Sequence, residues 1–154
     1  MEPSPRIDGT VPLRLIRDVV LLSRHFHALI DPAVKREHGL TSNDLYVMRS
    51  ITLGVNRPSS IGRRLGLSAP SVSRAIDRLV AARFVERHHP FTDARATELR
   101  LTASGADALE CAYGIAAERF EQHHGQLDQT LVVRAAAALR DLLEAMGNGA
   151  EPTS

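Results

Sequence analysis

Residues 66–82 read Gly66-Leu67-Ser68-Ala69-Pro70-Ser71-Val72-Ser73-Arg74-Ala75-Ile76-Asp77-Arg78-Leu79-Val80-Ala81-Ala82, and this stretch decides the fold. Gly66-Leu67-Ser68 is a tight turn. Ser68 is placed to cap a helix, and Pro70 fits its first turn, where backbone amides lack internal partners anyway. The helix predicted from Pro70 to Ala82 turns Val72, Ile76, Leu79 and Val80 inward and leaves Ser71, Ser73, Arg74, Asp77 and Arg78 largely on the other side. Upstream, Ser59-Ser60 opens a short helix through Leu65, with Ile61 and Leu65 one turn apart. Two short helices about a glycine turn form a helix-turn-helix, which offers its second helix to the DNA major groove.

Downstream the period changes. Phe84–Arg87 and Ala96–Leu101 read as strands, the second alternating polar and apolar residues. Residues 88–95 between them form an exposed hairpin loop, so the helix-turn-helix carries a two-stranded wing. Thr102 caps a helix running to about His124, and Asp128 starts a last helix bearing Leu131, Ala135, Leu139, Leu142 and Met146. At the other end, Leu15, Val19, Leu22, Phe26 and Leu29 form one apolar seam, widened by Ile16, Val20 and Ile30. Asp31-Pro32 is expected to break or kink that helix, because proline lacks the amide proton. A second helix begins at Ser42-Asn43-Asp44 and stops at Gly54. The expected fold is mainly α with a small two-stranded β wing: a winged helix-turn-helix (41–102) and a helical dimerisation lobe (11–40 and 103–147), with loose tails at 1–10 and 148–154.

The 154 residues carry a formal net charge of +1, unevenly spread. Residues 1–56 hold seven Lys/Arg and six Asp/Glu. Residues 57–100 hold nine arginines (57, 63, 64, 74, 78, 83, 87, 95, 100) against Asp77, Glu86, Asp93 and Glu98. The remainder holds three arginines against eight acids. A basic middle between neutral and acidic flanks suits an anionic partner met by the middle alone. Arg74 is one turn into the second helix of the motif, where a guanidinium can grip a guanine edge with two parallel bonds, worth ~1–3 kcal/mol of discrimination. Ser68, Ser71 and Ser73 allow close approach to phosphates or base edges. Arg78 meets phosphate or pairs with an acid. At the hairpin tip Asp93 can orient Arg95, whose charge suits the minor groove.

Other chemistry is sparsely supported. There is no nucleophile elbow, phosphate-cradling glycine loop or H-E-x-x-H, so an enzyme is not expected. Cys111 is the only cysteine; it excludes an internal disulfide, and with no adjoining base it reads as a buried structural residue. None of the seven histidines stands three or four residues from another on one helix, so neither a metal site nor a cofactor is expected. No apolar run approaches a membrane span, and Met1–Pro5 is not read as a secretory signal, so a cytoplasmic setting is expected. Aromatic residues are few and tryptophan is absent, so the core must be aliphatic. The outer helices carry more apolar positions than one thin bundle can cover, which calls for a homodimer.

The run from Gly66 to Leu109, G-L-S-x-P-S-V-S-R-x-I-D-R-L-V-x-x-R-F-V-x-R followed by D-x-R-x-x-x-L-x-L-T-x-x-G, resembles the winged helix-turn-helix of the MarR family. The likeness extends upstream through Gly39-Leu40-Thr41 and covers about 110 residues. It implies a bacterial transcriptional regulator, more often a repressor, acting as a homodimer on palindromic double-stranded DNA. It places Arg74 and the preceding serines in the recognition helix, and Asp93 and Arg95 at the wing tip. The sequence departs from the family pattern at Ala94, where arginine is usual, and at Arg83, where glycine is usual before the first strand. The family also implies release by a small aromatic or anionic effector, for which Arg17, Arg24, His27, Tyr46 and Arg49 are the polar candidates. The alternative is an architectural or protein-contacting winged-helix module without a ligand switch.

Overall fold

The computed structural model describes residues 9–89 and 97–148. Among the described residues six helices and two strands follow in chain order: α1 (Thr10–His38), α2 (Ser42–Thr52), α3 (Pro58–Leu65), α4 (Ala69–Ala81), β1 (Val85–His88), β2 (Glu98–Leu101), α5 (Ala103–His124) and α6 (Gln129–Asn148). The strands pair antiparallel, Val85 opposite Leu101 and His88 opposite Glu98. The chain is thus mainly helical with a two-stranded wing, as its sequence predicts.

The break allowed for at Asp31-Pro32 does not occur. Helix α1 runs unbroken through Pro32 to a left-handed cap at Gly39. A proline inside a helix costs about 3 kcal/mol, because the carbonyl one turn back loses its donor. Here the turn that follows seats Ala33 and Val34 in the core, and the Asp31 carboxylate accepts a hydrogen bond from Ser42 Oγ at the start of α2. Both contacts fix the chain on either side of Pro32 against the rest of the fold.

The core is aliphatic. It joins Val34 and Leu40 to Leu45, Val47, Met48 and Ile51 of α2, Ile61 of α3, and Val72, Ala75, Ile76 and Leu79 of α4. Val85, Leu99, Ala108, Leu109 and Ala112 close it from the wing and α5. Nearly every buried side chain therefore belongs to the winged helix or to the ends of α1 and α5 that rest on it. The first two-thirds of α1 and the whole of α6 lie outside: Leu13, Ile16, Leu131, Val133, Leu143 and Met146 are all more than half exposed.

Close approaches fix the wing to this core. Thr102 caps α5 by accepting from Gly105 N (3.0 Å), and its hydroxyl donates to the Arg83 carbonyl (2.8 Å). Gly105 lies so near the backbone of Phe84 that a Cβ there would stand 2.0 Å from the Phe84 carbonyl oxygen. Arg83 itself takes φ +60°, the left-handed conformation that glycine would supply. The turn is retained although arginine occupies it.

Candidate nucleic-acid interface

The geometry of the interface begins at the turn between α3 and α4. Gly66 caps α3 at φ +64°, a conformation open to glycine at no steric cost. Gly62 lets the helices close, since a Cβ there would meet the Leu67 carbonyl at 3.2 Å and Val72 Cγ2 at 3.3 Å. Ser68 then caps α4: its Oγ accepts from Ser71 N (3.4 Å) and bonds Ser71 Oγ (2.9 Å). These are the turn and cap expected from the sequence.

Helix α4 separates its two faces cleanly. Val72, Ala75, Ile76 and Leu79 are buried, while Ser73, Arg74, Asp77 and Arg78 face solvent. Among the described residues Arg74 Nη2 makes only a long bond to Ser71 Oγ (3.3 Å), which leaves most of the guanidinium's donors without a described partner. Arg63 and Arg64 are exposed in the last turn of α3 beside it, adding positive charge to the same motif. Asp77 accepts from Arg87 of β1 (2.5 Å) and Glu98 of β2 stands 3.8 Å from Arg57. Both pairs tie the base of the wing to the helix-turn-helix. Exposed pairs of this kind contribute at most about 1 kcal/mol, so they orient the wing more than they stabilise it. A cleft of about 500 Å³ opens between α3, α4 and the wing base, lined by Pro58, Ser59, Arg63, Ser73, Arg87 and Thr97 among others.

Arg78 has a different occupation from Arg74. Its Nη2 donates to Asp44 Oδ1 (2.7 Å), and Asp44 is wholly buried. The second Asp44 oxygen accepts from Thr41 N and Thr41 Oγ1, each at 2.8 Å, so one carboxylate closes the capping box of α2 and also binds the recognition-helix candidate. The sequence allowed Arg78 an acidic partner. That the partner is 34 residues away, on α2, had no local signal. Asp93 and Arg95, the wing-tip candidates, lie outside the described residues.

The effector candidates divide. His27 Nε2 and Tyr46 Oη are 3.1 Å apart, joining α1 to α2. Burial pushes the Tyr46 phenol above its ordinary range, assisted by the negative charge of Asp31 and by Tyr113. Burial likewise raises Tyr113, opposed by the nearby Arg49 guanidinium. His27, Tyr46 and Arg49 thus share one region with Asp31 and Tyr113, which sequence reading missed because the helices meet only on folding. Arg17 is about 15 Å along α1 from His27 at 1.5 Å per residue and pairs with Asp18 in solvent (2.9 Å). Arg24 is exposed on the same helix. The 500 Å³ cleft lies elsewhere, at the wing base.

Two further residues depart from expectation. Cys111 is exposed, not buried; it occupies the side of α5 turned away from the core residues Ala108, Leu109 and Ala112. His25 and His124, 99 positions apart, bring their Nε2 atoms to 3.0 Å, a pairing that a search along single helices does not reveal. Among the described residues no group of three or more histidine, cysteine or acidic side chains is placed to hold a metal, and no helix is long and apolar enough to cross a membrane.

Known proteins resemble this chain in sequence over its middle and in fold over most of its length. Residues 38–96 match the sequence model described as the MarR family. No curated protein matches the sequence significantly. Solved structures share the fold. BldR from Sulfolobus solfataricus superposes with a TM-score of 0.77 at 16% identity, over 92% of this chain and 99% of that one. Apo MarR from E. coli gives 0.71 at 21%, over 84% and 96%; a mutant of it, complexed with operator DNA, gives 0.68 at 21%, over 91% and 99%. The organohalide-sensing regulator RdhR, in its 2,4-dichlorophenol-bound form, gives 0.69 at 13%, over 94% and 86%.

Proposed function

We propose that this chain is a MarR-family transcriptional regulator, a homodimeric repressor that reads a palindromic operator with α4 and is released by a small molecule; the family match over residues 38–96 and the shared winged-helix fold support this reading. The observation that carries the DNA assignment is the polar face of α4. Arg74 and Ser73 stand exposed there, behind a capped and glycine-tightened turn, with Arg63 and Arg64 alongside. A helix so presented enters the major groove with its first turns toward the base edges. Ser68, Ser71 and Ser73 contact phosphate or base edges, Arg74 reads a base, and Arg95 with Asp93 follows the adjacent minor groove. Arg78 contributes by holding α4 to α2 through Asp44 and by turning its exposed edge to phosphate.

The MarR mutant complexed with operator DNA supports this reading by its likeness of fold. The 2,4-dichlorophenol-bound RdhR supports a small aromatic effector, for which Tyr46, His27, Arg49 and Tyr113 are the candidate contacts. The apolar surface left on α1 and α6 supports the dimer. A two-fold axis through those helices would set two α4 helices about 34 Å apart, one turn of DNA.

Selection of bound duplexes from a random pool tests the assignment. The expected product is a palindrome with half-sites one helical turn apart, bound more weakly as salt rises. Arg74→Ala is expected to lose about 1–3 kcal/mol of discrimination at one base position of each half-site. Equal affinity for selected and random duplex would favour the architectural module instead, and unchanged discrimination in Arg74→Ala would remove α4 as the reading helix.

A further inference from the structure

Helices α1 and α5 hold a second arrangement that the DNA assignment does not use. His25 on α1 and His124, the last residue of α5, point their Nε2 atoms at one another across 3.0 Å. Their rings are 5.0 Å apart between centroids and tilted by 49°. Phe120 packs against both Phe26 (5.9 Å) and His124 (5.5 Å), holding the two helices together at this level. As a hydrogen bond, the contact requires one imidazole to carry its proton on Nε2 and the other on Nδ1.

We propose that His25 and His124 form a site for a late first-row divalent cation, Cu²⁺ or Ni²⁺, which fastens α1 to α5 through the two Nε2 atoms. Histidine nitrogens bind such metals at about 2.0–2.1 Å, so two donors 3.0 Å apart subtend roughly 91–97° at the ion. That is the angle between adjacent ligands of a tetragonal site, the geometry of Cu²⁺ and Ni²⁺ with nitrogen and oxygen donors. Tetrahedral Zn²⁺ needs the nitrogens roughly 3.3–3.4 Å apart, so it fits less well. Binding requires no proton to leave the pair: the ring protonated on Nε2 changes to its Nδ1 tautomer, and both Nε2 lone pairs then face the ion. Water fills the remaining positions. The surroundings suit a cation. His124 ends α5, where unpaired carbonyls make the helix terminus negative, and the Glu121 carboxylate lies at the same end, its Oε1 2.7 Å from where a Cβ on Gly125 would stand.

Untagged, chelator-treated full-length protein titrated calorimetrically with NiCl₂, CuCl₂ and ZnCl₂ tests this site. One Ni²⁺ per chain is expected, with Cu²⁺ tighter and Zn²⁺ weaker. His25→Gln and His124→Gln should each weaken Ni²⁺ binding at least about tenfold, whereas His123→Gln, beside the pair but outside it, should not. Ni²⁺ should raise the melting temperature of the wild type and leave that of His25→Gln unchanged, a readout independent of any DNA. His25 is exposed, so its replacement keeps the fold for the comparison. Absence of saturable binding up to about 1 mM, or wild-type affinity in both His25→Gln and His124→Gln, overturns the proposal. An equal loss in His123→Gln overturns it too.

Discussion

Gly105 is the residue whose absence of a side chain matters most. Its backbone sits where a Cβ would stand 2.0 Å from the Phe84 carbonyl oxygen and 2.8 Å from the carbonyl carbon. Backbone cannot step aside as a flexible side chain can. Gly105→Ala should therefore destabilise the protein by about 1–3 kcal/mol, although alanine gains about 1 kcal/mol over glycine in helix propensity; urea denaturation would register this as a lower midpoint. Arg78 is the second such residue. With Asp44 wholly buried, Arg78→Ala leaves a carboxylate that keeps only its Thr41 donors. The half-exposed guanidinium moderates the cost, and a loss of about 2–3 kcal/mol is expected. Arg78→Lys should recover part of it, and the same denaturation curves would show whether it does. Tyr46 gives a pH-dependent outcome. Its pKa is raised on folding, chiefly by burial, so the folded state holds the phenol proton more tightly than the unfolded chain. The resulting stability is complete below the unfolded value near 10 and is lost as pH rises through the folded one. Tyr46→Phe should flatten the fall in melting temperature above pH 10, and a wild-type slope in that variant would exclude Tyr46 as its source.

At the scale of elements, α2 connects what the sequence keeps apart. Its N-terminal turn receives α1 through Ser42 and Asp31 and grips α4 through Asp44 and Arg78. Its next turn offers Tyr46 to His27. A ligand that displaced Tyr46 would act on the helix from which α4 is held. Helix α4 divides cleanly: four buried aliphatic residues anchor it, and its outer strip carries Ser73, Arg74, Asp77 and Arg78. Two of those four are engaged with the protein itself, Asp77 with Arg87 and Arg78 with Asp44. This leaves Arg74 as the long cation of the strip least engaged with the described part of the chain, which is why the proposed base reading is assigned to it. The continuity of α1 through Pro32 is an element-scale result of the same kind, since the contacts of Asp31, Ala33 and Val34 outweigh one missing backbone bond.

On the scale of the whole molecule, the described chain leaves apolar side chains of α1 and α6 uncovered. Leu143 and Met146 of α6 are 70% and 73% exposed, and Leu13 and Ile16 of α1 are 69% and 61% exposed. Apolar surface contributes about 25 cal/mol per Å² when covered, and a second copy of the same helices is the cover proposed here. Light scattering at micromolar concentration should give about 34 kDa, twice the chain mass of 16.8 kDa. Leu143→Asp touches nothing in the isolated chain's core, yet it should shift the protein toward the monomer and lower its melting temperature. A wild-type monomer would defeat the dimer.

The sequence by itself determined the elements and their order. Turns, caps and the apolar period are local, set by φ preferences at Gly66, cap donors at Ser68 and Thr102, and the 3.6-residue repeat of α4. It also marked Arg74, because a helix face can be counted along one segment. Tertiary structure alone decided the pairings: Asp44 with Arg78, His27 with Tyr46, His25 with His124, and the exposure of Cys111. Each joins groups from elements distant in the chain, or depends on which flank of a helix the core covers. The aliphatic packing that sets those distances leaves no periodic trace in the residues it brings together.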